Sequence, residues 1–238
     1  MNSKIQFLNV FSKSPNLSIL FFIQGEIMKK IVLTLCACFA LCASCYAAEA
    51  LFGDKLEKAD YDPAVWSLDE NGVLSAKRDA AIWTQEKIGD CKISFEYKMS
   101  PKANAGFLIK CSDKGNWIPN TIEIQLLEDA GQTPTYHNNA AFYGYQAPAK
   151  NVSKPAGEWN KMEVECKGSV IKVWLNGEFV NEMDTKQWTD KKISPNGTEI
   201  EGKFQGKALA DADLEGYIGF QGLHGHTSVF YRNIKICK

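Results

Sequence analysis

Glu123 and Gln125 alternate with Ile122, Ile124 and Leu126 in the segment Thr121-Ile-Glu-Ile-Gln-Leu-Leu127. Successive side chains of a strand point to opposite faces, so burying the three aliphatics turns the carboxylate and the amide outward together. The preceding segment, Asn104-Ala-Gly-Phe-Leu-Ile-Lys110, alternates less cleanly, with Phe107 and Ile109 on one face and Leu108 and Lys110 on the other. That phase presents Lys110 beside Glu123 and Gln125. A cation, a carboxylate and an amide on an open β face suit a polyhydroxylated ligand such as a sugar; a merely solvated sheet surface is the alternative.

Three histidines are available, His137, His224 and His226. His224 follows Gly219-Phe-Gln-Gly-Leu, where glycines allow close backbone approach and the ring can point out of the sheet end. Imidazole suits proton transfer and metal ligation alike. His226 looks more ordinary, and His137 falls in a loop that leaves its role open. Among carboxylates Glu123 stands out because strand alternation fixes its direction, unlike Asp129, Asp190 or Asp211 in loops. Trp83, Trp117, Tyr143 and Tyr145 are candidate stacking platforms for sugar rings, with a core role as the alternative for each. Sandwich-fold glucanases need two acids at alternate positions of one strand, flanking the scissile bond. Here Glu123 is followed on its face by Gln125 and Leu127, and Glu128 is out of phase. The hydrolytic pair is absent.

The elements that must hold these residues read as strands. Cys91, Ile93, Phe95, Tyr97 and Met99 alternate with Lys92, Ser94, Glu96 and Lys98. Met162, Val164 and Cys166 alternate with Lys161, Glu163 and Glu165, and Val170 to Leu175 is a further apolar run. Asn176-Gly177 then predicts a type I′ hairpin turn into Glu178–Met183. Gly216 to Gln221 and Ser228 to Cys237 are the last strands; Val229 and Tyr231 fall out of phase with Ile234 and Ile236, which predicts a bulge near Arg232-Asn233. No segment carries a sustained helical period. Short strands joined by Gly, Pro and Asn turns indicate an all-β fold, a jelly-roll sandwich of two antiparallel sheets. Two long loops, Glu128 to Ser153 and Thr185 to Asp213, are of the length that binding loops have.

The chain of 238 residues divides into three parts. From Met28, Lys29-Lys30 forms a basic n-region, Ile31 to Ala43 an apolar h-region, and small residues allow cleavage after Ala47 or Ala50. Residues 28–50 are therefore expected to be a signal peptide, residues 1–27 an upstream extension from a start codon assigned too early, and residues 51–238 the working domain. The apolar run to Ala48 is at the lower edge of membrane-spanning length, so a retained anchor is one alternative. A lipid-modified Cys45 is another, although Leu41 stands one place too far from it. Periplasmic or secreted export, with no membrane association after cleavage, is the expectation. Four of the eight cysteines fall in the signal; Cys91, Cys111, Cys166 and Cys237 remain, with no Cys-x-x-Cys pair among them. A hairpin centred near Pro101 would put Cys91 opposite Cys111, compatible with a disulfide or with two core thiols. A net charge of −1 without a basic stripe speaks against nucleic acid.

Taken in order, Ala81-Ile-Trp-Thr84, Asn104 to Lys110, Asn120-Thr-Ile-Glu-Ile-Gln125, Lys154-Pro-Ala-Gly-Glu-Trp-Asn160, Val173-Trp-Leu-Asn-Gly177 and Gly216 to His224 through Tyr231 to Ile236 resemble the 3-keto-disaccharide hydrolase domain family. Its members are 3-keto-glucoside-1,2-lyases and 3-keto-2-hydroxy-glucal hydratases. The resemblance implies a concanavalin A-like lectin/glucanase jelly roll and an oligosaccharide or glycoside substrate. It implies elimination on an oxidised sugar: a C3 ketone acidifies the C2 proton, a base removes it, and the enolate expels the C1 group. One base, an enolate stabiliser and a leaving-group acid suffice. Glu123, His224 and Lys110 are the catalytic candidates, with Gln125, Trp117, Tyr143, Tyr145 and Arg232 expected at the substrate. No cofactor is required by the residues; a divalent metal ion on Glu123 and His224 is an alternative. Where relatives often carry an acidic Gln-Asp-His, this chain has Gln221-Gly222-Leu223-His224. A non-catalytic lectin-like domain is the rival reading, since the fold serves both.

Overall fold

Thirteen strands, taken from a computed structural model, build two antiparallel sheets whose apolar faces meet; the structure describes residues 48–225 and 227–238. In chain order they are β1 Glu49–Ala50, β2 Ala59–Asp60, β3 Trp66–Leu68, β4 Leu74–Ala76, β5 Ala81–Thr84, β6 Cys91–Met99 and β7 Asn104–Cys111. There follow β8 Ile122–Leu127, β9 Trp159–Lys167, β10 Val170–Leu175, β11 Glu178–Asp184, β12 Tyr217–Gln221 and β13 Val229–Cys237. One sheet runs β11-β10-β9-β6-β13-β4-β3, with β1 added along β13; the other runs β2-β5-β12-β7-β8. This is the jelly-roll sandwich expected from the strand periods.

The alternation of β6 is obeyed residue by residue, with Ile93, Phe95 and Tyr97 buried between the sheets. Phe107 of β7 and Phe220 of β12 meet Phe95 from the opposite sheet, at ring centroid distances of 4.9 and 4.8 Å. Tyr231 closes the cluster 4.7 Å from Phe220. Asn176 and Gly177 both have positive φ, 52° and 84°, as a type I′ turn requires. The register of β13 against β6 shifts between Arg232 and Lys235, and Asn233 takes φ 53°, which is the anticipated bulge.

The expected hairpin between β6 and β7 does not form. The turn at Pro101-Lys102, with Lys102 at φ 63°, carries the chain across to the other sheet, so the two strands face each other through the core. Cys91 instead lies opposite Cys166 on β9, and no disulfide joins Cys91, Cys111 or Cys166.

Residues 1–47, which hold the expected extension and most of the signal segment, lie outside the described residues. Glu49 and Ala50 pair with Ile236 and Lys235. Cleavage after Ala47 would keep this strand in the sheet, whereas cleavage after Ala50 would remove it.

Candidate active site

The five-stranded sheet turns Asn104, Gly106 and Leu108 of β7 outward, together with Glu123 and Gln125 of β8, Gly219 and Gln221 of β12, and Ala81 and Trp83 of β5. Their neighbours Ala105, Phe107, Ile109, Ile122, Ile124, Ile218, Phe220 and Ile82 fill the core. A cavity of about 370 Å³ opens on this outer face, within the usual range for small-molecule sites. Asp79, Asn104, Gln125, Gln221 and His224 line it together with Trp117, Ile118, Tyr143 and Phe204, and Glu123 and Lys203 complete it.

Glu123 is on the cavity floor. Its carboxylate lies over the β7 backbone at Gly106, where an added Cβ would fall 2.3 Å from Glu123 Oε1. Glycine at this position is what lets the carboxylate lie there. Burial pushes the carboxyl up from its ordinary 4.5 to about 7, against the opposing pull of Lys203 and His224. A carboxyl poised near neutrality is suited to taking and returning protons.

Lys203 and His224 approach Glu123 from opposite ends of β8. At the Leu127 end, β8 pairs with Asn104, and Asn104 bridges to His224. His224 Nδ1 lies 2.8 Å from Asp79 Oδ2, and Gln221 Nε2 reaches the other Asp79 oxygen at 3.5 Å. The imidazole is thereby held by one nitrogen and left with Nε2 for a ligand. At the Ile122 end, a 3-10 turn at Ile118–Asn120 leads into β8 and touches a second 3-10 turn, Gly202–Phe204, which carries Lys203. Lys203 Nζ lies 3.4 Å from Tyr143 Oη and 4.6 Å over the Tyr143 ring. Glu201 adds an ion pair at 3.4 Å and also pairs with His137.

Tyr143 is brought here by a long loop with a polar scaffold of its own. Buried Asp129 accepts hydrogen bonds from Asn138 Nδ2 and from the backbone N–H of Asn139, at 2.8 and 2.7 Å. Ala140 N–H then donates to Gln125 O, and Tyr143 N–H to Glu123 O, both at 2.9 Å. The loop thus covers the edge of β8 and satisfies its free backbone groups. Asp129 is a structural acid.

Of the residues picked out in the sequence, Glu123, His224, Gln125, Trp117 and Tyr143 share the cavity. Lys110 does not. It takes φ 53°, and the β12–β7 register slips there, so that Tyr217 pairs with Cys111 but Gly219 with Leu108. This bulge turns the Lys110 side chain away from Glu123; buried to 7 % exposure, its Nζ donates to Leu214 O and Gly168 O at 2.6 and 3.0 Å. Gly216 packs against the bulge, an added Cβ there falling 2.3 Å from the Lys110 carbonyl carbon. Arg232 is also elsewhere: it projects from the eight-stranded sheet, bonds Glu96 at 2.8 Å and stacks 4.0 Å over Trp159. Tyr145 lies behind the cavity wall, packed 5.2 Å from Phe204 and 5.6 Å from Trp188. Burial pushes its hydroxyl up to about 12.

Asp79 and Lys203 are the functional candidates that strand patterns missed. Both are in loops, where no period fixes a direction. The Gly-flanked stretch Gly202-Lys-Phe-Gln-Gly206 was the available hint for Lys203. Asp79 puts a carboxylate on His224 although the acid of the Gln-Asp-His pattern is missing from its own loop.

A divalent metal does not fit this donor set. Among the described residues no group of three or more His, Cys, Asp and Glu side chains is placed to hold an ion. Asp79 is engaged with His224, and Lys203 already places a positive charge by Glu123.

The sequence profile of the 3-keto-alpha-glucoside-1,2-lyase-like domain matches residues 48–237. A crystal structure from Parabacteroides distasonis ATCC 8503, provisionally designated a glycosyl hydrolase, is similar at 37 % identity and a TM-score of 0.77, over 80 % of this chain and 98 % of that one. A second structure from the same organism with the same designation shares 21 % identity and a TM-score of 0.59, over 79 % and 91 % of the two chains, and supports the fold alone. None of the curated proteins matches the chain. The profile match across the whole described domain and the 37 % identical structure show that this chain belongs to the 3-keto-alpha-glucoside-1,2-lyase-like domain family.

Proposed function

We propose that the protein is an exported carbohydrate-active enzyme that cleaves 3-keto-glycosides by C2 proton abstraction and elimination of the C1 group. The observation that carries this reading is one carboxyl, buried on the cavity floor over Gly106 and pushed up by that burial, with Lys203 and His224 in the same cavity. In the substrate, C2 is flanked by two oxygens that gain charge as the reaction proceeds, the ketone oxygen on C3 and the leaving oxygen on C1. The protein offers a matching series of base and two electrophiles.

Glu123 takes the C2 proton, and the C–H electron pair moves into a C2–C3 enolate with its charge on O3. His224, protonated and held by Asp79, stands at the amide-rich end, where Asn104, Gln125 and Gln221 suit ring hydroxyls; it receives O3. Lys203 and Tyr143 stand at the other end and receive the C1 oxygen. Collapse of the enolate restores the ketone, forms the C1–C2 double bond and breaks the C1–O bond, and the electron pair leaves on the aglycone oxygen. That oxygen is protonated from the Lys203–Tyr143 end. Addition of water at C1, with return of the Glu123 proton to C2, would convert the 2-hydroxy-glucal into a free 3-keto sugar. The net outcome is glycoside hydrolysis without a second carboxylate.

Binding alone gives no reason to hold a carboxyl near neutrality, which favours catalysis over the lectin-like reading. The test is incubation of the purified protein with methyl 3-keto-glucoside and with methyl glucoside. Release of methanol from the keto substrate alone, lost in Glu123→Gln, is expected. Equal release from both would overturn the mechanism, and release from neither would return the site to the lectin reading.

A further inference from the structure

The Ile122 end of the cavity differs in character from the other. Trp117 stands on its wall, propped edge-on by Trp83 at 6.3 Å and 61°. Next to it Ile118 is 50 % exposed, and Phe204, itself buried against Tyr143 and Tyr145, lines the cavity from the facing turn. A lone exposed aliphatic is ordinary on a protein surface, but Ile118 lines the same cavity as Trp117 and Phe204, so the three form one apolar patch at its mouth. The hydrogen-bonding side chains Asn104, Gln125, Gln221, His224 and Asp79 are gathered at the opposite end.

We propose that this wall is the aglycone subsite and that it takes a flat apolar group, aryl or arylalkyl, rather than a second sugar. The proposal rests on the elimination reading, because Trp117 and Ile118 stand at the 3-10 turn leading into the Ile122 end of β8, and that turn touches the one carrying Lys203, the group assigned to the C1 oxygen. A sugar could stack on Trp117, but Ile118 and Phe204 offer its rim hydroxyls no partner, and Lys203 and Tyr143, the polar groups at this end, are committed to the C1 oxygen. An aromatic ring is satisfied by Trp117, Ile118 and Phe204 together. The chemistry at C2 is unchanged: the arylalkyl alcohol leaves with the C1–O electron pair and one proton.

Benzyl and methyl 3-keto-glucosides of one anomer separate contact from leaving-group ability, since their alcohols are nearly equally acidic. The wild-type protein should show a kcat/KM for the benzyl compound about tenfold above that for the methyl compound, the scale of burying one apolar ring. A 3-keto-disaccharide should fall below the benzyl compound. Ile118→Ser, at an exposed position that folding tolerates, should bring the benzyl-to-methyl ratio most of the way to one, and Trp117→Ala should do so further. A wild-type ratio near one, a preference for the disaccharide, or a ratio untouched by Ile118→Ser would overturn the subsite while leaving the elimination reading intact. No turnover of the methyl compound would remove that reading and the subsite with it.

Discussion

Asp79, from the loop before β5, and His224, from the loop after β12, place Oδ2 and Nδ1 2.8 Å apart at the end of the cavity where the polar side chains collect. A carboxylate on one imidazole nitrogen fixes the ring and complements its charge when protonated. Asp79 is here a positioning residue, acting through His224.

Asp79→Asn keeps the shape but loses that charge. It should lower kcat by about tenfold with little change in KM, and shift the alkaline limb of the pH–rate profile. An unchanged profile with reduced activity would mean that Asp79 only shapes the loop.

Glu123 must be ionised to act as base, and burial has moved its pKa up to about 7. The rate on a keto-glycoside should therefore fall as pH drops below about 7, and Glu123→Gln should cost about 100-fold or more. Stability carries the complementary sign. The folded-state pKa lies above the ordinary 4.5, so the folded protein favours the protonated form, and its stability declines as pH rises from about 4.5 through about 7. Glu123→Gln should consequently raise Tm above pH 7, by roughly 5 °C, and change it little at pH 4. Thermal melts at the two pH values check this.

Lys203 and Lys110 can be told apart by what each loses. Lys203→Met should reduce kcat by about 100-fold with little loss of stability, because Lys203 is partly solvated on its turn. Lys110→Met orphans the carbonyls of Gly168 and Leu214 and should cost about 2 kcal/mol of stability while leaving kcat in place. Melting curves and initial rates of the two variants, compared side by side, decide the assignment.

Much of this site could be read from strand periods alone. The outward direction of Glu123 and Gln125 follows from Ile122, Ile124 and Leu126, and the packing obeys it. Lys110 obeys the same pattern on paper, yet one left-handed residue reverses its direction, and nothing about a lysine announces a positive φ. The same limit applies to β6 and β7. Their sequences suit a hairpin, and only the turn at Pro101-Lys102 sends them to different sheets. Asp79 and Lys203 are positioned by loop contacts over long sequence distances, which no local period encodes.

Cys91 and Cys166 are cross-strand partners whose thiols hydrogen-bond; that bond, and then burial, push the Cys91 thiol up. Cys111 belongs instead to the outward cluster with Trp83 and Leu108. Under an oxidant, peptide mapping without reduction should find Cys91 joined to Cys166 or to nothing. A Cys91–Cys111 bridge would contradict the assignment of β6 and β7 to separate sheets.

The central claim is that Glu123 removes a proton from C2 of a 3-keto sugar, and isotopic labelling at that carbon tests it most directly. With methyl 3-keto-glucoside deuterated at C2, the deuterium should be absent from the glucal product, and a free 3-keto sugar formed from it should carry a solvent-derived hydrogen at C2. Where proton removal limits the rate, kcat/KM should also fall by about two- to sixfold relative to the protiated compound, and Glu123→Gln should abolish the loss of label. Glycoside cleavage that retains the C2 deuterium in the product would contradict the account outright.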